Sequence, residues 1–472
     1  MGLTRTDRAL PPYLRTVFLM TICARPLVLG LCLLGACSPG SPGADDDDGG
    51  DEPIDACPCP DGRGGDGGGR GSDSGSTGGC EGMATGAAHP FGNHARAYHA
   101  GTILPSHLSQ GQLDDAVRGF YDAWKARYLK TGCGSGRYYV ASGAGRLTVS
   151  EAHGYGMLIT AFMAGHDPQA KTIFDGLVRY YEDHPSDIVP SLMAWAQGSS
   201  CQNVDGDNSA TDGDLDIAYA LLLADKQWSS GGTINYRALA QELIDGIRAG
   251  EVDSGVNYVQ LGDWARDGSY GRATRSSDFM PAHFESFADI TGDAAWRQIR
   301  DRSYGIIQSV QTGYAAQTGL LPDFIADAAS TPRPVDPGFL EGPRDGQYSY
   351  NACRDPWRIA TDYLLNGDSR SKTIVQRMTT WIRSRTGDDP GAILPGYSLA
   401  GGQVGGTYLD LAFVAPFGVA AMVDAGNQSW LNSVWDTTVA NAGAGYYQDT
   451  VAMLSLIAMS GNWWSPEAAP CP

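Results

Sequence analysis

A single glutamate stands near the start of an apolar, glycine-rich segment, TVSEAHGYGMLITAFMAG. Its T-x-x-E spacing fits a capping box, in which Glu151 would only stabilise the start of a helix. However, Gly154 and Gly156 follow closely, and each weakens a helix by about 1 kcal/mol relative to alanine. These glycines indicate that something approaches the backbone closely. A carboxyl group half-sunk beside Tyr155 and Met157 would have a raised pKa, as a general acid requires.

Three alternating aspartates, Asp212, Asp214 and Asp216, stand at the entry of a strongly apolar segment, residues 208–228. Acidic residues in a first helical turn serve as caps and complement the helix dipole. Three of them exceed that need. A calcium loop is a further possibility, but the rest of the EF-hand spacing is absent.

The run YNACRDPWR (350–358) combines two arginines with aromatic residues and the amide of Asn351. Such a dense run holds either another part of the protein or a ligand. The preceding segment, residues 321–349, is rich in proline and predicts a lid or a wall. Histidines elsewhere show no ligand spacing, so no metal site is predicted.

Helices must position these residues, because apolar side chains recur with helical period from about residue 84 onward. Eleven or twelve helices without a strong repeat predict one all-α domain of stacked helical hairpins. Three long loops, 250–277, 320–353 and 387–406, are rich in glycine and aromatic residues, and a site is expected there. The helical segments are 112–130, 151–165, 168–182, 213–226, 235–249, 279–290, 293–312, 354–366, 371–386, 407–424 and 446–459.

Residues 1–37 are expected to be a targeting segment, because three arginines precede an apolar stretch that ends in LGAC. That ending resembles a bacterial lipobox with Cys37 as the lipidated residue, although Gly35 is an unusual choice there. The alternative is an ordinary secretory signal that is cut nearby. Both interpretations, a lipoprotein signal or an ordinary secretory signal, predict an extracytoplasmic protein, secreted or lipid-anchored to the bacterial envelope. Residues 38–83 predict a disordered acidic linker, and residues 84–472 the folded domain.

The chain of 472 residues carries a formal net charge of −20. An acidic protein repels nucleic acid and anionic lipid, whereas a neutral or cationic polymer is compatible with it. After the targeting segment, no stretch of about 18 apolar residues predicts a transmembrane helix. Four cysteines belong to the folded part, and we expect one disulfide among them without being able to assign the pairing. They are Cys133, Cys201, Cys353 and Cys471.

Three segments together resemble glycoside hydrolase family 8, the bacterial β-1,4-glucanases, xylanases, licheninases and chitosanases. ATDGDLDIAYALLLADKQW (210–228) fits the family signature at every constrained position. SEAHGYGM matches a Ser-Glu-Gly-Gln-Gly-Tyr-Gly-Met block, with Ala152 and His153 as departures. YNACRDPWR matches a Tyr-Asp/Asn-x-x-Arg-x-Pro-Trp-Arg block. The resemblance covers about residues 84–468 and implies an (α/α)6 barrel with a substrate cleft across one end.

The resemblance also implies an inverting mechanism, with Glu151 as the general acid. Inversion needs a second carboxylate about 6.5–9.5 Å away, with a water in between. One branch of the family has an Asp base where this chain has Asn351, and an amide cannot take that proton. Another branch has Asn there and a base from an inserted loop. Glu341 is the only glutamate of residues 321–349, so we expect it to be the base, with Asp323, Asp336 and Asp345 as rivals.

Further roles follow from the same resemblance. Asp212 or Asp214 would grip the hydroxyls of the distorted sugar, and we favour Asp212. Arg354 would orient the base and the attacking water, which Asn351 could hold. Asp278 is either a substrate or cation contact or the N-cap of the next helix. The candidate sugar-stacking rings are Tyr155, Trp195, Tyr219, Tyr350 and Trp357, although each type of ring, taken alone, is more often a core residue.

The sequence therefore predicts an endo-acting hydrolase of a β-1,4-linked polysaccharide, either a glucan, chitosan, or both. No cofactor is expected, because two carboxylates and a water suffice, and we expect a monomer. One alternative is a glycan-binding protein that kept the cleft after losing its base, for which Asn351 is the evidence. Another is a polysaccharide lyase of the same fold, which would need an anionic substrate that the acidic chain disfavours.

Overall fold

The computed structural model describes residues 86–143 and 145–467. The predicted targeting segment with Cys37, the linker and Cys471 lie outside the described residues, so the expectations for them stay predictions.

Twelve α-helices run through the described residues, joined by loops of very different length. Their bounds are α1 (Gln110–Tyr128), α2 (Ser150–Phe162), α3 (Ala170–Glu182), α4 (Thr211–Trp228), α5 (Tyr236–Gly250), α6 (Pro281–Thr291), α7 (Ala295–Gly313), α8 (Asp355–Asn366), α9 (Ser369–Thr386), α10 (Leu411–Ala421), α11 (Gln428–Ala440) and α12 (Tyr446–Met459).

The helices form two concentric rings. The even-numbered helices contact one another in the order α2, α4, α6, α8, α10, α12, and α12 returns to α2, which closes the inner ring. Each odd-numbered helix packs on the outside of one inner helix: α1 on α12, α3 on α2, α5 on α4, α7 on α6, α9 on α8 and α11 on α10. The chain is therefore an (α/α)6 barrel, as expected.

Sequence composition explains which helices lie inside. Every residue of α10, LAFVAPFGVAA, is buried, because a helix that is apolar all round must be enclosed on all sides. The outer helix α3 instead buries one stripe and exposes charged residues on the other side.

Two larger differences from the sequence prediction concern α10 and α11. α10 begins at Leu411 and not near 407, because the Asp410 side chain accepts the backbone N–H of Ala412 and caps the helix. α11 is absent from the eleven predicted segments. Its buried stripe of Trp430, Leu431, Val434 and Trp435 is narrow and lies among polar residues of weak helix propensity.

Short antiparallel strands of two or three residues shape the loops of the described chain. They form four small sheets: β1 (Leu129–Thr131) with β2 (Tyr138–Val140), β3 (Thr148–Val149) with β4 (Ala196–Gln197), β5 (Val252–Asp253) with β6 (Tyr258–Val259), and β7 (Thr274–Arg275) with β8 (Phe324–Ala326) and β9 (Arg333–Pro334). The pairing of β3 with β4 places the start of α2 beside Trp195. The pairing of β7 with β8 places Arg275 opposite Phe324, at the root of the loop that leads to Glu341.

Glycines allow α2 and α4 to touch backbone to backbone. A Cβ on Gly213 would lie 2.4 Å from the Ser150 hydroxyl, and a Cβ on Gly154 would lie 2.7 Å from the Cβ of Asp216. No side chain larger than hydrogen fits at that distance. The close approach predicted from the glycines is therefore made by α4, which brings Glu151 and Asp212 together.

One disulfide joins Cys133 to Cys201, and Cys353 is a buried free thiol. The two bonded cysteines are 68 residues apart, and a loop of that length is worth about 4 kcal/mol in the chain-entropy account. None of the described helices is long and apolar enough to cross a membrane.

Candidate active site

Arg354 is the hub of a buried polar cluster at one end of the inner ring. It ends a short 3-10 turn, Ala352–Arg354, directly before α8, and its side chain is fully buried. One guanidinium nitrogen, Nη1, donates to Glu151 at 2.7 Å, to Asp212 at 2.9 Å and to the Tyr155 hydroxyl at 2.9 Å. A fork of fixed geometry thus holds two carboxyl groups from two different helices.

Glu151 is not part of a capping box. Val149 stands at the N-cap of α2 without any side-chain capping bond, so the Glu151 carboxyl is free for the site. Its side chain is 19% exposed, and the Tyr446 hydroxyl donates to Oε1 at 3.4 Å. Burial raises the pKa of Glu151 to about 7, opposed by Arg354 and reinforced by the Asp212 carboxylate. A carboxyl group of this kind keeps its proton near neutral pH.

Asp212 has the opposite character. Its Oδ1 pairs with Arg275 at 3.1 Å and its Oδ2 with Arg354 at 2.9 Å. Burial by itself would raise the pKa of Asp212, but the two guanidinium groups outweigh it and hold the pKa at about 2. Two neighbouring carboxyl groups, one protonated and one ionised, are the pattern of a site that transfers a proton.

The loop carboxylate Glu341 is tied to this cluster through Asn351. The Asn351 Oδ1 accepts from Arg354 at 2.9 Å, and its Nδ2 donates to Glu341 Oε2 at 2.8 Å. Arg275 lies 3.9 Å from the other oxygen of Glu341. The Glu341 side chain is 49% exposed, so it reaches the cluster from the solvent side. A continuous chain of hydrogen bonds therefore runs from Glu151 through Arg354 and Asn351 to Glu341.

The rival loop carboxylates hold the backbone. Asp345 accepts the backbone N–H groups of residues 340–342 at 2.7, 3.0 and 2.8 Å, which fixes the tip that carries Glu341. Asp323 is buried and accepts three backbone N–H groups of the run 349–352. Asp336 is exposed and lines a separate surface pocket with Arg272 and Arg333. These contacts leave Glu341 as the loop carboxylate that joins the cluster.

Asp214 lies outside the cluster, and its expected contact with substrate is wrong. It is fully buried, its Oδ1 accepts the Met193 backbone N–H at 2.9 Å, and it shares a hydrogen bond with Glu251. Burial raises the pKa of both carboxyl groups well above the usual range. The third aspartate, Asp216, pairs with Arg358 one turn deeper in the core.

Asp278 is also fully buried, so it offers no surface to a substrate or cation, and that expectation is wrong. The alternative is wrong too, because the N-cap of α6 is Met280, without a side-chain capping bond. Asp278 lies instead behind Arg275, with its Oδ1 3.8 Å from Nη1. Burial raises the pKa of Asp278 to about 7, against the pull of Arg275.

The candidate stacking rings divide into two groups. Tyr155, Tyr219 and Trp357 are at most 1% exposed, so none presents a face to a sugar, and that expectation is wrong for all three. They are core residues of the barrel. Trp195 and Tyr350 are partly exposed, and their stacking role stays a prediction.

Trp195 and Tyr350 stand at separate points around the cluster. The Trp195 carbonyl accepts the Ser150 backbone N–H at 2.8 Å, which places the Trp195 backbone beside the start of α2. Arg146 covers one face of that indole at 4.4 Å. The Tyr350 hydroxyl contacts the exposed Tyr408 at 2.8 Å.

Two residues of the cluster were missed from the sequence. Arg275 stands in the long loop 250–277, and its signal was an arginine three positions before Asp278. Tyr446 begins α12, almost 300 residues from Glu151, and nothing in its local sequence points to the site.

Comparison with known proteins agrees with the fold. A family model described as "Glycosyl hydrolases family 8" matches residues 104–461. The chain is 50% identical over 376 residues to a beta-glucanase of Niallia circulans, covering 80% of this chain and 91% of the relative. It is 40% identical over 379 residues to an endoglucanase of Bacillus sp. (strain KSM-330), covering 78% of this chain and 80% of the relative.

Solved structures give the same result. The apo structure of a β-1,3-1,4-glucanase from Paenibacillus sp. X4 has a TM-score of 0.78 at 49% identity, and covers 80% of this chain and 99% of that chain. Rex8A from Paenibacillus barcinonensis, complexed with xylose, has a TM-score of 0.65 at 18% identity. The match covers 78% of this chain and 98% of that chain. The second likeness shows the fold alone. The chain therefore belongs to glycosyl hydrolase family 8, and it is a glycoside hydrolase.

Proposed function

We propose that the protein is an inverting, endo-acting β-glucan hydrolase, with Glu151 as the general acid and Glu341 as the general base. The observation that carries this proposal is the chain of hydrogen bonds Glu151–Arg354–Asn351–Glu341, with Asp212 ionised at its centre. It links a protonated carboxyl at the floor of the site to a solvent-facing carboxylate on the loop.

Each group has a defined part in the reaction. The Glu151 proton goes to the glycosidic oxygen as the bond to the anomeric carbon breaks. Glu341 takes a proton from a water that attacks that carbon from the opposite face, so the product has the inverted configuration. The side chain of Asp212 is 4% exposed, whereas Asp214 and Asp278 are fully enclosed. The ionised Asp212 accepts hydrogen bonds from sugar hydroxyls and stabilises the positive charge that develops on the ring. Arg354 keeps Glu151 and Asp212 in place throughout.

Asn351 no longer argues for a non-catalytic binding protein. Its amide cannot act as a base, but it donates to Glu341 at 2.8 Å and so holds the carboxylate that can. Asn351, which stands where the other branch of the family has its base, therefore holds the proposed base Glu341 in place.

The substrate we favour is a mixed-linkage or β-1,4-linked glucan, because the relatives at 50% and 40% identity are a beta-glucanase and an endoglucanase, and the solved structure at 49% identity is a β-1,3-1,4-glucanase. Chitosan is the second candidate. The formal net charge of −20 favours a cationic polymer near the protein but does not distinguish the sugars inside the cleft.

The test compares Glu151→Gln and Glu341→Gln with wild type on mixed-linkage β-glucan and on chitosan, by release of reducing ends. Both variants are expected to lose about 10³-fold or more in kcat, because each removes one proton-transfer partner. Asp336→Asn is the matched control, since it changes an exposed carboxylate of the same loop outside the cluster. Near-full activity in Glu341→Gln would refute the base, and no product from either polymer would refute the β-glycan hydrolase.

The stereochemistry provides a second readout. An inverting enzyme acting on a β-linked glucan releases the α-anomer first, which ¹H NMR detects before mutarotation. Initial release of the β-anomer would exclude the inverting mechanism.

We also propose that the protein acts outside the cytoplasm, as a monomer held to the envelope through a lipid on Cys37. The Arg-rich start and the LGAC ending support this proposal. Metabolic labelling with a fatty-acid analogue tests it, with Cys37→Ala as the control that should lose the label.

A further inference from the structure

We propose that Arg275 and the buried Asp278 behind it are positioning residues for the reaction, and that Asp278 must carry a proton for Arg275 to serve Glu341 and Asp212. This inference rests on the proposed roles of Glu151 and Glu341. It gives a function to two residues that do not touch the substrate in the proposed mechanism.

Arg275 stands between three carboxyl groups. Its Nη1 lies 3.1 Å from Asp212 and 3.8 Å from Asp278, and its Nη2 lies 3.9 Å from Glu341. The side chain is only 9% exposed, and its guanidinium packs over the Phe324 ring at 5.5 Å. A single rigid fork is therefore shared by the ionised aspartate, the proposed base and a third carboxyl group.

Asp278 is enclosed on every side. It lies on the short turn Ser276–Asp278, which packs against α4, α8 and the turn that carries Arg354. Its Oδ1 is 3.5 Å from the Ser277 hydroxyl, and its Oδ2 has no hydrogen-bond partner among the described residues. The charged groups that face it are Arg275, Asp212 from α4, Arg354 from the neighbouring turn, and Asp355 and Arg358 from α8.

Most of those surrounding charges are already matched. Arg358 is paired with Asp216 through two hydrogen bonds, at 2.7 and 2.5 Å. Burial raises the pKa of Asp355 well above its usual range, which favours the neutral form of that carboxyl group. The guanidinium groups of Arg275 and Arg354 are thus left to balance the carboxyl groups of the site.

Charge balance then assigns the protons. Burial favours the neutral form of Asp323 as it does that of Asp355. Apart from these two, two guanidinium groups face four carboxyl groups, so the cluster is neutral when two of the four are protonated. Glu151 must hold one proton as the general acid, Glu341 must be free of one as the base, and Asp212 stays ionised between two arginines. The second proton therefore belongs on Asp278, whose burial favours the neutral form.

Loss of that proton would disturb the base. An ionised Asp278 would compete for Arg275 and draw its fork away from Glu341, whose contact is the longest of the three. It would also add a third negative charge around Arg275, next to those of Asp212 and Glu341. The active form of the free enzyme consequently needs two protons, one on Glu151 and one on Asp278.

The pH profile of kcat/KM tests this requirement on the full chain with soluble mixed-linkage β-glucan. For wild type, log(kcat/KM) should fall with a limiting slope of −2 on the alkaline side, because two protons are lost. Asp278→Asn fixes a neutral side chain at that position, so its slope should be −1. A wild-type slope of −1, or a slope of −2 in Asp278→Asn, would overturn the inference.

Variants of Arg275 test the inference even if Asp278→Asn does not fold. Arg275→Gln removes the shared cation, so the protonation of Asp278 no longer matters and the slope should be −1. Arg275→Lys keeps the cation and should keep the slope of −2. The inference fails if Arg275→Gln also shows −2. Near-UV circular dichroism recorded at each pH shows whether the protein stays folded and so excludes unfolding as the cause of any slope.

These outcomes are separate from a failure of the proposed function. A wrong base appears as an active Glu341→Gln variant at a single pH. A wrong role for Asp278 appears only in the slopes.

Discussion

Asn351 donates a hydrogen bond of 2.8 Å from its Nδ2 to Oε2 of Glu341. Its Oδ1 is occupied by Arg354, which fixes the orientation of the amide. Asn351 cannot accept the proton in the reaction. It instead holds Glu341, the carboxylate that we propose accepts this proton.

A carboxylate at position 351 should therefore lower kcat while Glu341 is present, and it should restore part of the activity when Glu341 is replaced. Asn351→Asp alone is expected to lose about 10- to 100-fold in kcat, because two carboxylates would repel each other at hydrogen-bond distance. In the double variant Asn351→Asp/Glu341→Gln, part of the activity lost in Glu341→Gln should return. Steady-state kinetics on β-glucan measures both, with Asn351→Ala as the control that removes the donor without adding charge. A double variant as inactive as Glu341→Gln would contradict the expectation.

The alkaline limb of activity should lie near pH 7. Burial raises the pKa of Glu151 to about 7, and a general acid works only while protonated, so kcat/KM falls as pH rises through that value. Asp212, with a pKa of about 2, stays ionised over the whole working range. The pH profile of kcat/KM checks this, and an alkaline limb above pH 9 would show that Glu151 is not the acid.

Arg354 should not tolerate lysine. A lysine ammonium keeps the charge but cannot hold Glu151, Asp212 and Asn351 at once from one flat fork. Arg354→Lys is expected to lower kcat by about 100-fold or more with a smaller effect on folding stability. Arg354→Met should in addition move the alkaline limb to higher pH, because Arg354 opposes the rise of the Glu151 pKa. Kinetics at several pH values separates the two effects.

The buried pair Asp214 and Glu251 should make the fold weaker at high pH. Burial raises both pKa values well above those of the unfolded chain, so the folded state binds more protons between the two ranges. The stability from this pair is full below about pH 4, the unfolded value, and is lost as pH rises through the folded pKa. Glu251→Gln supplies a permanent N–H donor to Asp214 and should flatten this loss.

Denaturant unfolding at pH 5, 7 and 9 measures that effect. Glu242→Gln is the control, because this glutamate is exposed on α5. Equal pH dependence in wild type and Glu251→Gln would show that the pair does not share a proton.

The crossing of α2 and α4 should not accept a methyl group. A Cβ on Gly213 would lie 2.4 Å from the Ser150 hydroxyl and 2.6 Å from its backbone carbon, which cannot move without α2. Gly213→Ala is expected to lose about 1–3 kcal/mol of stability, and more if α2 shifts, with a fall in kcat because Glu151 and Asp212 flank the crossing. Gly119→Ala is the matched control, since a Cβ on this exposed position of α1 meets nothing within 4 Å. It should stabilise the protein by about 0.5–1 kcal/mol.

Much of the barrel was predictable because helices are local. Eleven of the twelve described helices follow from apolar residues at helical period, and the family motifs together imply the ring. The missed helix, α11, has its apolar residues interspersed with Asn, Ser and Thr of weak helix propensity, and it packs on α10. Glu151 and Asp212 were also predictable, because each lies in a segment that resembles a motif of the family.

The burial of individual side chains could not be predicted from the sequence. Tyr155, Trp357 and Asp278 have side chains typical of a sugar-binding site, but all three are enclosed in the barrel. Whether a ring or a carboxyl group faces the cleft or the core depends on which elements pack over it, and those elements are distant in sequence.

The amino-acid sequence is enough to predict that acidic residues line the entry of α4, and that Asp212 and Asp214 point in nearly opposite directions. Residues that are two positions apart in an α-helix are separated by about 200° around its axis, since one turn takes 3.6 residues. Asp212 faces Arg354 and Asp214 faces Glu251 because segments distant in sequence pack against the two sides of α4. Tertiary structure likewise set Glu341 against Asn351, because the loop between them is fixed by backbone bonds to Asp345 and Asp323 and not by any local pattern.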